Sequence, residues 1–290
     1  MRPVSTFLSA SPHAEMTARA DLGFGLSAAI WTNRSDEVRY TAPLGHTFSY
    51  YLEGGDGTWR TDIRPVHGHP GAVSVLPEGQ SSDWDITGAF EFVHLYLPDA
   101  ALRRSYAETF DRDARLMPVE DLTYATIPAL TAPFRALASA LRTGDALQAE
   151  AAAAELVTVF FTRHAGLARP APALGGGLAP RTARRLRDFI EAHLDTPIRL
   201  ADLGTEAGLS AFHLHRAFRT RFGVSPQAWI AHRRVARAKA LIRDGEPLAQ
   251  VAAACGYANQ SHFSRSFRDG TGMTPGAYRR ALGAAAAARP

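Results

Sequence analysis

The sequence is poor in cysteine and lysine, and it lacks long apolar runs. Cys255 is the single cysteine among 290 residues, so no internal disulfide is possible and a reducing compartment is favoured. The first twenty residues lack the basic and apolar segments of a signal peptide, and no apolar run is long enough to cross a membrane. We therefore expect a cytoplasmic protein without a membrane partner.

Charge divides the chain into two parts of opposite sign. Residues 1–179 hold 14 arginines and 20 acidic residues, a net charge of −6. Residues 180–290 hold 17 arginines, Lys239 and 8 acidic residues, a net charge of +10, and the two parts sum to the +4 of the whole chain. The scarcity of lysine explains why the cations are arginines, but it does not explain the change of sign. A positive segment of this kind is typical of a module that neutralises phosphates.

Length and composition predict two domains joined by a linker. A chain of 290 residues exceeds what one hydrophobic core of ordinary size needs. Residues 168–180, ARPAPALGGGLAP, hold three prolines and three consecutive glycines, which predicts a flexible linker. We therefore expect one domain over residues 1–167 and a second over residues 181–284.

The first domain is predicted to begin with strands and to end with helices. Short strand patterns separated by turn residues occur at 48–52, 58–63, 72–76 and 90–97. The periodicity then becomes helical over 101–110, 124–142 and 146–164. This order predicts an α+β domain with an antiparallel barrel or sandwich. The apolar face of its last helix fits an intramolecular core and a subunit interface equally well.

The second domain contains an internal repeat with a period near 48 residues. The segments Leu200-Ala201-Asp202-Leu203 and Ala207-Gly208-Leu209 recur as Leu248-Ala249-Gln250-Val251 and Cys255-Gly256-Tyr257. Further on, Leu214, Arg216, Phe218, Arg219, Gly223, Pro226 and Trp229 match Phe263, Arg265, Phe267, Arg268, Gly272, Pro275 and Tyr278. Each copy has a short apolar helix, a glycine for a left-handed turn and a second helix opened by a capping residue. The repeat predicts an all-α domain with two helix-turn-helix units, at about 200–222 and 248–269.

The second helix of each unit is predicted to place its apolar residues inward and a basic, polar face outward. Arginine can bind guanine and glutamine can bind adenine in the major groove, so these faces have the chemistry of base recognition. A helix over 226–243, about 25 Å long, is predicted between the units. The candidate DNA contacts are Ser210, Phe212, His213, His215, Arg216, Arg219, Asn259, Gln260, Ser261, His262, Ser264, Arg265 and Arg268, with Arg233, Arg234 and Arg237 as candidate phosphate contacts.

Residues 181–280 resemble the C-terminal DNA-binding domain of the AraC/XylS family of transcription regulators. The segment GYANQSHFSRSFRDGTGMTP, Gly256 to Pro275, is similar to that family's signature. The resemblance implies a bacterial regulator of transcription, not an enzyme and without catalytic residues, that binds double-stranded DNA. It also implies a homodimer, often an activator that contacts RNA polymerase.

By the same resemblance, the first domain is a cupin-like β-barrel that binds a small-molecule effector. Gly71, Pro77 and Gly79 fit the spacing of a cupin motif, but Ser82 stands where a metal-binding cupin has histidine. His67 and His69 lie in a loop without a suitably spaced carboxylate, so we expect no metal and no other cofactor. The candidate effector-pocket residues are His46, Tyr50, Trp84, Glu91 and His94, and the sequence leaves open whether Glu91 or His94 faces inward.

Alternatives to an effector-binding regulator remain at this stage. In one, the first domain only dimerises and binds no ligand. In another, a cupin-type metal enzyme is fused to a DNA-binding domain, although Ser82 breaks the histidine set that such an enzyme needs. Repair by alkyl transfer would require a reactive thiol, and Cys255 is predicted to be buried within the second helix-turn-helix unit.

Overall fold

The computed structural model describes residues 2–23, 25–64, 66–110, 113–164 and 177–287. They form two compact domains, one mainly within residues 2–164 and the other mainly within residues 177–287. The N-terminal domain is α+β and the C-terminal domain is all-α, as the sequence predicted. Most of the predicted linker, residues 168–180, lies outside the described residues, and its last residue, Pro180, begins a helix.

Two antiparallel sheets form the first part of the N-terminal domain. The larger sheet has the order β1-β2-β8-β4-β6-β9, and the smaller has the order β3-β7-β5. Within the described residues the strands are β1 (Glu15–Asp21), β2 (Ser27–Asn33), β3 (Asp36–Tyr40), β4 (His46–Gly54), β5 (Thr58–Arg60), β6 (Val73–Leu76), β7 (Ser82–Ile86), β8 (Phe90–Leu97) and β9 (Leu122–Ala125).

Side chains alternate along these strands between two hydrophobic cores. On β8, Phe92 and Tyr96 face a core shared with Trp84 of the smaller sheet, whereas Val93 and Leu95 face a second core. The second core is covered by α2 (Asp99–Phe110), α3 (Pro128–Thr143) and α4 (Ala146–Val159). A π-helical turn at Phe160–His164 follows α4. The first core contains residues of α1 (Val4–Ala10). The larger sheet therefore lies between the smaller sheet and the helices.

The predicted elements of this domain are present with shifted ends. The strand expected over 58–63 stops at Arg60, and the helix expected from Tyr124 begins only at Pro128. Proline suits the first turn of a helix because its missing N–H has no intrahelical partner there. Tyr124 instead belongs to β9, which pairs with β6. The alternation of a short strand is easily mistaken for the start of a neighbouring helix.

The C-terminal domain consists of helices and tight turns. The helices are α5 (Pro180–Ala192), α6 (Leu200–Ala207), α7 (Ala211–Phe222), α8 (Pro226–Arg243), α9 (Leu248–Ala254), α10 (Gln260–Thr271) and α11 (Pro275–Ala287). The pair α6–α7 and the pair α9–α10 are the two helix-turn-helix units predicted from the repeat. Their turns contain Gly208 and Gly256 with φ of 69° and 68°, a left-handed conformation that favours glycine.

Polar side chains cap both second helices, as predicted. The Ser210 hydroxyl accepts a hydrogen bond from the His213 amide at 3.3 Å. The Asn259 side-chain oxygen accepts one from the His262 amide at 2.8 Å. Each bond satisfies an amide that the first turn of a helix leaves without a partner. The two recognition helices, α7 and α10, therefore begin at fixed positions.

Candidate nucleic-acid interface

Aromatic packing fixes the orientation of the first recognition helix, α7. Leu214 and Phe218 are fully buried. The ring of Phe222 lies 4.4 Å from that of Phe218 and 4.9 Å from that of Trp229 at the start of α8. These residues recur every four positions, so they occupy one side of α7. Because that side is held in the core, the other sides are turned away from it.

The second recognition helix, α10, is held in the same way. Phe263 and Phe267 are fully buried in a core with Val251 of α9, with Cys255 directly after that helix, and with residues of α8. The Tyr257 ring packs against Phe263 at 5.4 Å between ring centroids. The two phenylalanines are four positions apart, and their burial determines which residues of α10 face away from the core.

The outward face of α10 combines amide, hydroxyl and guanidinium groups. Ser261, Arg265 and Arg268 follow one another at four and three positions, which places them along one side of the helix. The exposed members of the predicted set are Asn259, Gln260, Ser261, Arg265 and Arg268, and the half-buried members are His262 and Ser264. A face of this composition can bind base edges and phosphates, and its one carboxylate, the exposed Asp269, lies near the C-terminal end of α10.

The outward face of α7 is smaller than the sequence predicted. Arg219 is exposed, and His213, Arg216 and the capping Ser210 are half-buried. His215 is buried, with 7% of its surface exposed. A base contact by His215, as predicted, would require its side chain to become exposed. His213, Arg216 and Arg219 thus supply the accessible polar groups of the predicted set on α7.

Two of the three arginines predicted to contact phosphate donate to protein groups. Arg233 forms an ion pair with Glu191 of α5, with 2.5 Å between Nε and Oε1. Arg234 donates to the carbonyl oxygens of Leu194 and Thr196, at 3.1 and 2.7 Å. Helical periodicity does not reveal these partners, which are about 40 residues away, and phosphate contact by Arg233 and Arg234 remains a prediction. For Arg237, phosphate contact remains a prediction.

Cys255 is a fully buried residue of the second helix-turn-helix core. Burial raises the pKa of its thiol, against a smaller opposite effect of Arg237 and Arg234. Since the thiolate is the nucleophilic form, this environment disfavours covalent chemistry at the sulfur. Alkyl transfer to Cys255 therefore has no support in the geometry.

A small cavity lies between the two sheets of the N-terminal domain. Its volume is about 30 Å³, and its lining includes Tyr40, Tyr51, Trp84 and His94. Of Glu91 and His94 on β8, it is His94 whose side chain faces the cavity. This space holds about one water molecule, whereas pockets for drug-sized ligands are roughly ten times larger.

Three of the predicted pocket residues lie outside this cavity. Tyr50 faces the helical layer and stacks on Phe134, with 5.1 Å between ring centroids. Glu91 also faces that side and forms an ion pair with Arg142 of α3. His46 lies 2.9 Å from Asp99 at the start of α2. A one-residue difference along a strand moves a side chain to the opposite face, so these three residues do not line this cavity, and their part in effector binding remains a prediction.

Burial controls the ionisation of His94. The imidazole is 3% exposed, and its Nδ1 lies 3.2 Å from the Tyr96 hydroxyl, which accepts a hydrogen bond from the Trp31 indole. Burial lowers the pKa of His94 from 6.5 to about 3. The folded protein therefore holds His94 neutral at pH values where the unfolded chain is protonated.

We expect the free energy of unfolding to fall as the pH drops below 6.5, because only the unfolded state then protonates residue 94. The contribution is about 1.4 kcal/mol per pH unit, or about 2 kcal/mol between pH 6.5 and 5. Urea unfolding at both pH values, followed by tryptophan fluorescence, measures it. His94→Asn should remove this part of the pH dependence, while His13→Asn, at an exposed position, should retain it. Identical slopes for the wild type and His94→Asn would contradict the assignment.

The candidate metal ligands of the N-terminal domain have other partners. The His67 ring packs against Trp59 at 5.4 Å between centroids, and His69 Nδ1 lies 3.0 Å from the Pro70 carbonyl oxygen. Ser82 accepts a hydrogen bond from the Trp84 indole at 2.8 Å. In the described parts of the chain, no three His, Cys, Asp or Glu side chains are grouped in a way that could hold a metal ion.

Sequence reasoning missed Arg60, a buried arginine at the rim of the two sheets. Its guanidinium is 2% exposed and pairs with Asp62 at 2.5 Å and with Asp121 at 2.6 Å. The same group lies over the Trp84 ring, 5.6 Å from its centroid. The hydrogen bond from Arg60 lowers the pKa of Asp62, outweighing partial burial. Its partners come from separate loops, so no local motif announces this network.

The two capped helix pairs define a tandem helix-turn-helix domain. A family model described as a helix-turn-helix domain matches residues 203–281. The probable transcriptional regulator LumQ of Photobacterium leiognathi is 37% identical over 92 residues, which cover 31% of this chain and 37% of LumQ. The HTH-type transcriptional regulator ExsA of Pseudomonas aeruginosa is 33% identical over 99 residues, 34% of this chain and 36% of ExsA. The C-terminal domain is therefore an AraC-type DNA-binding domain.

The similarity to these relatives extends over about a third of this chain. The chain spans little more than a third of the length of LumQ and ExsA. Among solved structures, a probable AraC family transcriptional regulator from Rhodopseudomonas palustris is 30% identical, with a TM-score of 0.32, over 35% of this chain and 97% of that one.

Within the described ranges, no helix combines the length and the apolar character needed to cross a bilayer.

Proposed function

We propose that this protein is a sequence-specific regulator of transcription that binds double-stranded DNA through α7 and α10. The observation that carries the proposal is the pair of capped recognition helices, each held by a buried aromatic core and presenting basic, polar groups outward. α8, which lies between the two units, is 18 residues and about 25 Å long, a length near the roughly 34 Å of one DNA turn. Two recognition helices on one chain can therefore occupy successive major-groove segments on one side of a duplex.

Selection of bound sequences from a random DNA library tests this proposal. The full-length protein should enrich a motif with two conserved blocks separated by about one turn of DNA. The base preference should survive at salt concentrations that abolish binding to bulk DNA, because base contacts depend less on counterion release than phosphate contacts do. Enrichment of no motif would show that the domain binds phosphates only, and the proposal would fail.

Arg265→Ala should weaken binding to the selected motif by about 1–3 kcal/mol and relax the base preference at one position. The reason is that Arg265 is exposed on the outward face of α10, where a guanidinium can bind a guanine edge with two hydrogen bonds. Competition binding with single-base variants of the motif measures both effects. Arg280→Ala removes an exposed arginine outside the recognition helices and serves as the charge-matched control. Equal losses for all DNA sequences would show that Arg265 contacts phosphate alone.

We further propose that the N-terminal domain binds a small-molecule effector between its sheets. Support comes from the family resemblance and from the lining of the cavity, which combines aromatic rings with His94 and the hydroxyls of Ser49 and Ser74. Neutral His94 and the buried tyrosines favour an uncharged ligand, because a buried charge would need a partner. At about 30 Å³ the cavity would have to expand on binding.

A second candidate, a domain that dimerises without binding a ligand, is favoured by the small size of the same cavity. Thermal unfolding across a panel of uncharged aromatic and aliphatic metabolites separates the two proposals. Binding to the folded state at a hundred times the dissociation constant stabilises it by about 2.7 kcal/mol. A shift that Ser49→Leu abolishes would support an effector site, whereas no shift with any compound would support dimerisation alone. Homodimer formation, activation and contact with RNA polymerase are proposed on the resemblance only.

A further inference from the structure

The helix α8 belongs to both helix-turn-helix cores. At its start, the Trp229 ring packs on Phe218 and Phe222 of the first unit. From Val235 to Ile242 its buried residues belong to the core of the second unit. The residues between these two parts, around Arg233 and Arg234, therefore lie where the first unit gives way to the second.

Arg234 contacts both the segment between α5 and α6 and the second unit at this position. Its guanidinium donates to the carbonyl oxygens of Leu194 and Thr196, in the segment that follows α5. The same guanidinium lies over the Tyr257 ring, 5.6 Å from its centroid, in the turn of the second unit. Tyr257 is buried and hydrogen-bonds Ser266 of α10 at 2.9 Å between oxygens. Arg234 thus connects the end of α5 to the ring that supports the second recognition helix.

Gly256 allows the turn of the second unit to approach the 194–196 segment closely at the same place. A Cβ atom on residue 256 would lie 2.5 Å from the Leu194 carbonyl oxygen and 2.6 Å from the Arg234 guanidinium. Such distances are too short for any real contact, so a side chain here would separate the turn from the 194–196 segment. Gly208, the equivalent glycine of the first unit, has the same φ but no heavy atom within 4 Å of its Cβ position. The demand for close approach is therefore specific to the second turn.

We infer that Arg234 and Gly256 form a clamp that sets the spacing between the two recognition helices. Arg234 is then a positioning residue, and its effect is on how far apart the two DNA blocks must be. The inference rests on the proposed function, since it requires that both units bind DNA. A planar guanidinium can donate to two carbonyls and stack on a ring at once, which a lysine ammonium cannot do.

The test compares DNA duplexes that carry the selected motif with its two blocks at the preferred spacing or with one base pair inserted or removed. For wild-type full-length protein, we expect the altered spacing to weaken binding about tenfold or more. Arg234→Ala and Arg234→Lys should reduce this preference to about threefold or less, while the penalty for a base change inside either block stays the same. Arg237→Ala, on the next turn of α8, should leave the spacing preference intact and reduce the salt dependence of binding.

A second pair of variants tests the contribution of Gly256 to the clamp. Gly208→Ala and Gly256→Ala impose the same left-handed strain, but only Gly256→Ala should relax the spacing preference. The inference is overturned if Arg234→Ala weakens binding to every duplex alike with a shallower salt dependence, because Arg234 would then be a phosphate contact. It is also overturned if Gly208→Ala and Gly256→Ala have equal effects on spacing. Failure of the proposed function gives a different result, since the wild-type protein would then select no motif.

Discussion

Phe263→Ala is expected to destabilise the second helix-turn-helix unit by about 3–5 kcal/mol, because it removes a fully buried ring and leaves a cavity. Phe263 lies in one core with Phe267, Val251 and residues of α8. Without the Phe263 ring, the buried side of α10 is no longer anchored in the core. Gln260, Ser261 and Arg265 then lose the fixed outward orientation that this anchoring gives them. Binding should then depend on the first unit alone, and the base preference of one DNA block should disappear.

Amide hydrogen exchange of the full-length protein measures this effect locally. Peptides that cover α9 and α10 should exchange about a hundredfold faster or more in Phe263→Ala, while those of the N-terminal domain should be unchanged. Ser264→Ala changes the neighbouring, half-buried position and should alter stability by no more than about 0.5 kcal/mol. If Phe263→Ala exchanged like the wild type, α10 would not depend on this core.

Arg60→Met is expected to destabilise the N-terminal domain by about 3–5 kcal/mol. The substitution keeps most of the side-chain volume but leaves Asp62 and Asp121 without the guanidinium that they share. The Trp84 ring beneath Arg60 should report the change, so unfolding followed by tryptophan fluorescence is the measurement.

An exposed arginine of the same domain supplies the comparison for Arg60. Arg39 pairs with Asp83 at 2.9 Å, but its side chain is 76% exposed. Because solvent screens such a pair, Arg39→Met should lower stability by no more than about 1 kcal/mol. Similar losses for Arg39→Met and Arg60→Met would show that burial of the Arg60 network adds nothing to stability.

Because Asp62 is hydrogen-bonded to Arg60, the free energy of unfolding of the N-terminal domain also depends on pH in the acid range. The pKa of Asp62 is lower in the folded protein than in the unfolded chain. Its contribution to the free energy of unfolding is therefore fully present above the ordinary aspartate pKa of about 4, and it is lost as the pH falls through the lower pKa of the folded state. In Arg60→Met this contribution should be absent. His94 acts in a higher pH range, between about 6.5 and 3, so the two groups can be told apart in a pH series.

The repeat allowed the C-terminal domain to be predicted in detail because its determinants are local. Gly208 and Gly256 are needed where φ is positive, and Ser210 and Asn259 cap helices that start one residue later. The ends of α8 at Pro226 and Arg243 were also predicted, since a proline at the first turn and a continuous helical pattern leave little choice.

Features that depend on distant partners could not be predicted. Helical periodicity placed Arg233 and Arg234 on an accessible face, but their partners are at 191, 194 and 196, on and just after another helix. In the N-terminal domain, His94 and Trp84 line one cavity, whereas Tyr50 and Glu91 face the helices, and an effector site at any of them remains a prediction. Which face of a central strand meets which layer depends on how the sheets and helices stack, and both faces of these strands are apolar.

The burial of Cys255 has a practical consequence for following the protein in solution. Because the single thiol is inaccessible and held protonated, reagents that modify cysteine should leave the native chain unlabelled. A cysteine introduced at an exposed position, such as Ser261, would then accept a fluorophore or a spin label without background. The wild-type chain is thus already a suitable starting point for measuring distances between its two domains, with no need to remove a native residue first.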